Sequence, residues 1–196
     1  MLDSPYVRRV AISLKVLNIP FNHRPLSVFK DFDEFSRINP AVKAPTLVTD
    51  SGTVLMDSTL ILQYAATVAK IGDGALMPPP GVEFEQSLRL ISLALMACDK
   101  TVQIVYEHML RPEAKQHQPW LDRVTQQLHG IYLQLEQVAD DITLTPLLQP
   151  AISTAVAWRF TQLYCDTVVS ADRYPRLAAL SGRAEQLPVF ADTPVQ

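Results

Sequence analysis

Cysteine is scarce in this chain of 196 residues: Cys98 and Cys165 are the only two, far apart and in no CxxC or Cys/His spacing. That excludes a disulfide framework and a thiolate zinc site, and leaves two buried thiols as the expectation. His23, His108, His117 and His129 are scattered, none paired with a carboxylate at metal-ligand spacing, so no metal is expected. Long apolar runs are also missing. The stretch from Leu90 to Cys98 is broken by Ser92 and followed by charge, short of the ~20 residues a membrane span needs, so no span is predicted. No charge of one sign dominates: charged residues make up 19% and the net charge is −3, which gives no basic surface for a nucleic acid. Met1-Leu2-Asp3-Ser4-Pro5 has neither a basic region nor an apolar run of the secretory kind, so a cytoplasmic location is expected. What is present is apolar residue, 48% of the chain, enough for a sizeable core in one domain or two.

The periodicity of those apolar residues changes along the chain. Val7, Val10, Ala11, Leu14 and Leu17 recur at helical spacing behind Ser4-Pro5 and stop before Asn18-Ile19-Pro20, which predicts a first amphipathic helix. Phe21 to Phe29 reads as extended chain, and Asp31 to Asn39 as a short helix ended by Pro40, together a β-α unit. Residues 45–48 and 54–56 are short apolar runs around Thr49-Asp50-Ser51-Gly52, a hairpin signal. Leu60, Ile61, Tyr64, Ala65 and Val68 mark another helix, with Asp57 or Ser58 as its cap. Gly72, Gly74 and Pro78-Pro79-Pro80 then crowd into a stretch unsuited to helix or central strand. Beyond it the period is helical throughout: Phe84 to Val102, Leu121 to Val138, Ala151 to Thr167 and Tyr174 to Gln186. The expected organisation is a mixed α/β domain over 1–70, a linker over 71–81 and an all-helical domain over 82–196.

Three motifs choose among the families compatible with that arrangement. Ser4-Pro5-Tyr6-Val7-Arg8-Arg9-Val10, Asn39-Pro40-Ala41-Val42-Lys43-Ala44-Pro45-Thr46-Leu47 and Asp57-Ser58-Thr59 stand in the order and spacing of the glutathione S-transferase family, and Leu187-Pro188-Val189-Phe190 resembles its bacterial members. The resemblance runs from Ser4 to the C-terminus. It implies a thioredoxin-like N-terminal domain, an all-helical C-terminal domain, glutathione as co-substrate, a small electrophile as second substrate and a homodimer.

The resemblance also implies residue roles. Ser4 faces the glutathione sulfur as the catalytic hydroxyl. A free thiol titrates near ~8.5, and lowering that by about two units takes roughly 2.7 kcal/mol. A hydrogen bond to a charged group supplies ~1.5–3 kcal/mol, so one hydroxyl and the positive end of a helix are sufficient in magnitude. Ser4 followed by Pro5 also reads as a plain helix cap, and both readings coexist. Pro45 resembles the family's cis-proline, with Ala44 offering backbone groups to the cysteinyl part of glutathione. Lys43 meets the glycine carboxylate, or is simply solvated. Asp57 and Ser58 resemble the pair that holds the γ-glutamyl end, Asp57 suiting its ammonium group and Ser58 with the helix N-terminus its carboxylate. Capping explains either residue equally well in isolation. Tyr106, His108, Met109 and Arg111 are the candidates for the second-substrate pocket.

Two departures from the family pattern carry expectations of their own. Only Met1, Leu2 and Asp3 precede Ser4, where a strand takes about five or six residues: either the start lies upstream of Met1 and a few residues are missing, or much of the strand is lost, which would leave an unpaired sheet position. At residues 148–152 the family's Ser/Thr-x-x-Asp capping box is replaced by Leu148 and Ala151, with Pro150 at the helix start in partial compensation. These leave a second functional class open beside the transferase, a non-catalytic interaction module of the same fold. Thiol–disulfide exchange is disfavoured, since it needs a cysteine where Ser4 stands.

Overall fold

The computed structural model describes residues 1–69 and 76–195. They fall into two compact units, Met1–Leu76 with Leu187–Gln196, and Met77–Gln186. In the first unit the order is α1 (Pro5–Val16), α2 (Phe32–Ile38), β1 (Thr46–Val48), β2 (Val54–Met56) and α3 (Ser58–Val68), closed at the end of the chain by α8 (Pro188–Ala191). The second unit holds α4 (Val82–Leu110), α5 (Gln118–Val138), α6 (Gln149–Tyr164) and α7 (Pro175–Glu185).

α1 begins where Ser4 accepts a bond from the Val7 N–H and Pro5 takes the first helical position, and it buries Val10, Ala11, Ile12 and Leu14. β1 and β2 pair antiparallel with Thr46 opposite Met56, Leu47 opposite Leu55 and Val48 opposite Val54. Gly52, at φ +83°, serves the turn between them. Asp57 accepts from Thr59 N–H and Leu60 N–H and so caps α3.

Two expectations are corrected. Residues 21–29 form no strand: among the described residues the sheet holds β1 and β2 alone. Extended chain becomes strand only when its N–H and C=O groups meet a partner ladder, and this segment meets none. The last ten residues, expected within the helical domain, join the first unit instead. Their anchor is the buried Arg8, whose Nε donates to the Thr193 carbonyl at 2.8 Å and whose guanidinium lies 5.5 Å from the buried Phe190 ring. The expected linker falls outside the described residues at 71–75; Leu76 to Gly81 carries no helix or strand.

The helical unit follows the predicted stripes. Val124, Leu128, Tyr132 and Leu135 of α5 meet Ala97 and Ile104 of α4, Trp158 of α6 and Leu177 of α7 in one core. α6 starts without a side-chain cap at Leu148, as its sequence implied, and Pro150 stands in its first turn. Its residues from Gln149 to Trp158 are all buried, so packing holds this helix rather than capping.

Candidate functional site

The residues singled out at Ser4, at 43–45 and at 57–58 converge on the N-terminal half of α1. Ser4 is half-buried, and its Oγ accepts the Val7 N–H at 3.5 Å, a long bond that leaves the hydroxyl proton free to donate elsewhere. One turn on, Arg9 is buried and its Nη1 donates to Ser58 Oγ at 3.0 Å and to Thr59 Oγ1 at 3.3 Å, tying the start of α3 to α1. A guanidinium only donates, so the buried Ser58 hydroxyl accepts from Arg9 and keeps its own proton for another acceptor.

The loop before β1 is held by a second set of bonds. Asn39 is buried, donates to Thr46 Oγ1 at 2.8 Å and accepts from the Ala41 N–H, while the Thr46 hydroxyl donates to the Lys43 carbonyl at 2.6 Å. The Ala44–Pro45 peptide between them is cis. Lys43 is exposed and places Nζ 5.8 Å from the centroid of the Tyr6 ring, so the loop reaches the first turn of α1. Asp57 takes a positive φ of 70°, and Oδ1 accepts Thr59 N–H at 2.8 Å and Leu60 N–H at 3.4 Å. Its side chain is exposed, so Oδ2 stands open to a cation.

Positive helix ends, the open hydroxyl protons of Ser4 and Ser58 and an exposed carboxylate thus belong to the starts of α1 and α3, which Arg9 ties together. Such a set suits a zwitterionic, extended ligand with one developing anion. Sequence reading did not single out Arg9, Asn39 or Thr46. Arg9 stands off the apolar stripe of Val7, Val10, Ala11, Leu14 and Leu17, and its burial goes with the partners it meets at the start of α3.

The four residues proposed for the second substrate lie at the end of α4, in the other unit. Arg111 Nε pairs with the buried Glu107 at 3.1 Å, and His108 Nδ1 shares a 3.0 Å bond with Gln116 Oε1. Tyr106 and Met109 are exposed, and partial burial pushes the Tyr106 hydroxyl above its usual range. The side chains of Arg111 and His108 are therefore engaged locally. Both cysteines are buried, and burial, with Asp166 adding to it, pushes the Cys165 thiol up to about 11, which keeps it a thiol near neutral pH. Among the described residues no three His, Cys, Asp or Glu side chains group as metal ligands, and no helix is long and apolar enough to cross a membrane.

The two-unit arrangement, a small α/β unit and an all-helical one, is the thioredoxin-like plus helical fold of the glutathione transferases. Residues 1–70 match the family model described as the glutathione S-transferase N-terminal domain. A glutathione transferase family member from Pseudomonas fluorescens Pf-5, crystallised with bound glutathione, is 27% identical over 100% of this chain and 97% of its own, with a TM-score of 0.88. The same target with bound S-(propanoic acid)-glutathione gives 28% identity over 98% and 95% and a TM-score of 0.83. A glutathione S-transferase from Methylobacterium radiotolerans JCM 2831, in complex with glutathione sulfonate, is 27% identical over 97% and 90%, with a TM-score of 0.84. No curated protein matches the sequence. The N-terminal 70 residues are thus similar to the glutathione S-transferase N-terminal domain, and the whole chain has the fold of these solved relatives.

Proposed function

We propose that the chain is a cytoplasmic glutathione transferase that activates the thiol of glutathione for attack on a small electrophile. The observation that carries this reading is the convergence of Ser4, the loop at Lys43-Ala44-Pro45 and the Asp57-Ser58 corner on α1. Glutathione bound in solved relatives supports it.

In this reading the γ-glutamyl end lies at the start of α3. Its carboxylate takes the Ser58 proton and the helix N-terminus, and its ammonium group meets Asp57. The cysteinyl backbone pairs with the N–H and C=O of Ala44 beside Pro45, and Lys43 faces the glycine carboxylate. The sulfur comes to Ser4, whose O–H donates to the thiolate while the α1 N-terminus stabilises the same charge. The thiol proton leaves to solvent, the sulfur lone pair forms the C–S bond, and the electrophile's leaving group departs with its electron pair. Tyr106, His108, Met109 and Arg111 contact the electrophile.

The active species is a homodimer in which the α/β domain of one copy meets helices of the other. Leu60 and Tyr64 on α3, and Leu88 and Met96 on α4, are exposed apolar side chains that such a contact covers. Calorimetric titration with glutathione and turnover of an activated aryl chloride test the reading together. Saturable binding with turnover supports it; absence of binding returns the chain to the interaction-module class, and binding without turnover removes the catalytic role of Ser4.

A further inference from the structure

The loop between α2 and β1 is held by a chain of donors that runs one way. Asn39, buried at the end of α2, donates from Nδ2 to Thr46 Oγ1 at 2.8 Å and to Met56 Sδ at 3.6 Å, and its Oδ1 accepts the Ala41 N–H at 3.1 Å. Its carbonyl takes the Val42 N–H at 2.9 Å. The Thr46 oxygen accepts from Asn39, so the hydroxyl proton goes to the Lys43 carbonyl, 2.6 Å away. Donors aligned in this order strengthen one another. Val42 shows how firmly the loop is set: it is a β-branched residue at φ +46°, a conformation that persists only where the surroundings impose it.

The chain ends on one peptide plane. The Lys43 carbonyl and the Ala44 N–H are the two poles of that planar trans peptide and point in opposite directions, so a bond that fixes the carbonyl also fixes the N–H. Ala44 is half-buried, and among the described residues nothing accepts its N–H. Backbone donors out of full contact with water are seldom left unpaired. One pole tied and the other open is the arrangement of a donor aimed at a ligand.

We propose, resting on the glutathione reading above, that Thr46 is a positioning residue: its hydroxyl, fixed by Asn39, aims the Ala44 N–H at the cysteinyl carbonyl of glutathione. Thr46 never touches the ligand. Lys43 and Ala44 take part through backbone atoms that substitution does not remove, so the Thr46 hydroxyl is where the clasp can be opened. Without it the peptide plane turns about its ends, the N–H faces the ligand for only part of the time, and affinity falls by that fraction.

The test compares glutathione with γ-glutamylcysteamine, which keeps the γ-glutamyl end and the thiol but has no cysteinyl carbonyl. Each is titrated calorimetrically into the parent, Thr46→Val and Thr46→Ser, with kcat for an activated aryl chloride measured alongside. Thr46→Val should weaken glutathione roughly 3- to 10-fold, the size of one neutral hydrogen bond, and leave γ-glutamylcysteamine within about twofold. At saturating glutathione kcat should stay within about twofold, since the bond is made equally before and during the reaction. Thr46→Ser keeps the hydroxyl and should bind both ligands as the parent does. Valine also leaves an Asn39 N–H without its acceptor and lowers the melting temperature, and the second ligand separates that general cost from the aimed N–H. Equal weakening of both ligands by Thr46→Val would overturn the proposal. So would glutathione affinity that is indifferent to the hydroxyl, or that falls as far in Thr46→Ser. Thr46→Ala replaces the valine variant should that one not fold; if neither folds, the hydroxyl holds the hairpin rather than the ligand and the proposal falls. A parent that does not bind glutathione overturns the transferase reading and this proposal together, whereas every other adverse outcome leaves that reading standing.

Discussion

The two units dispose of their polar groups in opposite ways. In the helical unit one set of buried polar side chains is tied together: Tyr132 Oη donates to the Ala157 carbonyl at 3.1 Å and shares a 2.6 Å bond with Thr161, whose hydroxyl lies 2.7 Å from Thr101. Around them Tyr132, Trp158 and Tyr174 pack with ring centroids 5.3 to 5.9 Å apart. That network is closed, and a closed network rigidifies. In the N-terminal unit the corresponding groups keep a free hydrogen or lone pair: Ser4, Ser58 and Asp57. One unit spends its hydrogen bonds on its own stability, and the other reserves them for something that arrives.

Breaking the closed side should have the largest effect. Trp158→Ala removes a buried ring from the aromatic cluster and should destabilise the protein by about 3–5 kcal/mol, read as a drop in the urea midpoint. An unchanged midpoint would deny that this cluster holds the helical unit. On the open side, Ser4→Ala should lower kcat by roughly 10- to 100-fold, the size of one hydrogen bond to a charged group, with little change in glutathione affinity. A parent-like kcat would reduce Ser4 to the cap of α1. Asp57→Ala should cost about 1 kcal/mol of stability through the lost α3 cap and weaken glutathione binding as well. If stability falls and affinity does not, Asp57 is a cap alone.

Much of this was legible in the sequence, for reasons that differ by element. α1, α4, α5, α6 and α7 follow apolar stripes that only a helix buries together, so their existence and order could be read directly. The β1–β2 hairpin was equally plain from the turn chemistry of Thr49 to Gly52. The fate of Phe21 to Phe29 was not, because a strand is defined by its partner and local composition carries no record of the partner's absence. The last ten residues were misassigned for a related reason. Their helical pattern looks alike in either unit, and it is Arg8, more than 180 positions away, that decides where they pack. Within the site, the motif positions were found by resemblance, whereas Arg9 and Asn39 act through side-chain bonds spanning 49 and 7 positions that no local pattern displays.

The smallest effect tests whether the closed side also shapes the response to pH. Burial, with Arg173 nearby adding to it, lowers the pKa of His129 below its ordinary value, and its Nδ1 shares a 2.8 Å bond with the hydroxyl of Tyr174. A histidine held neutral when folded takes up a proton more readily when unfolded, where it titrates near ~6.5. The unfolded state therefore binds more protons as pH falls below about 6.5, and stability is lost from there down to the folded pKa, beneath which the loss stops growing. His23 in the other unit, lowered by burial and by the amino terminus, contributes with the same sign. Thermal melts across this window should flatten in part for His129→Gln, which keeps a polar partner for Tyr174, and in part for His23→Asn. If only His23→Asn flattens the profile, the acid sensitivity belongs to the open unit and the closed network is indifferent to pH.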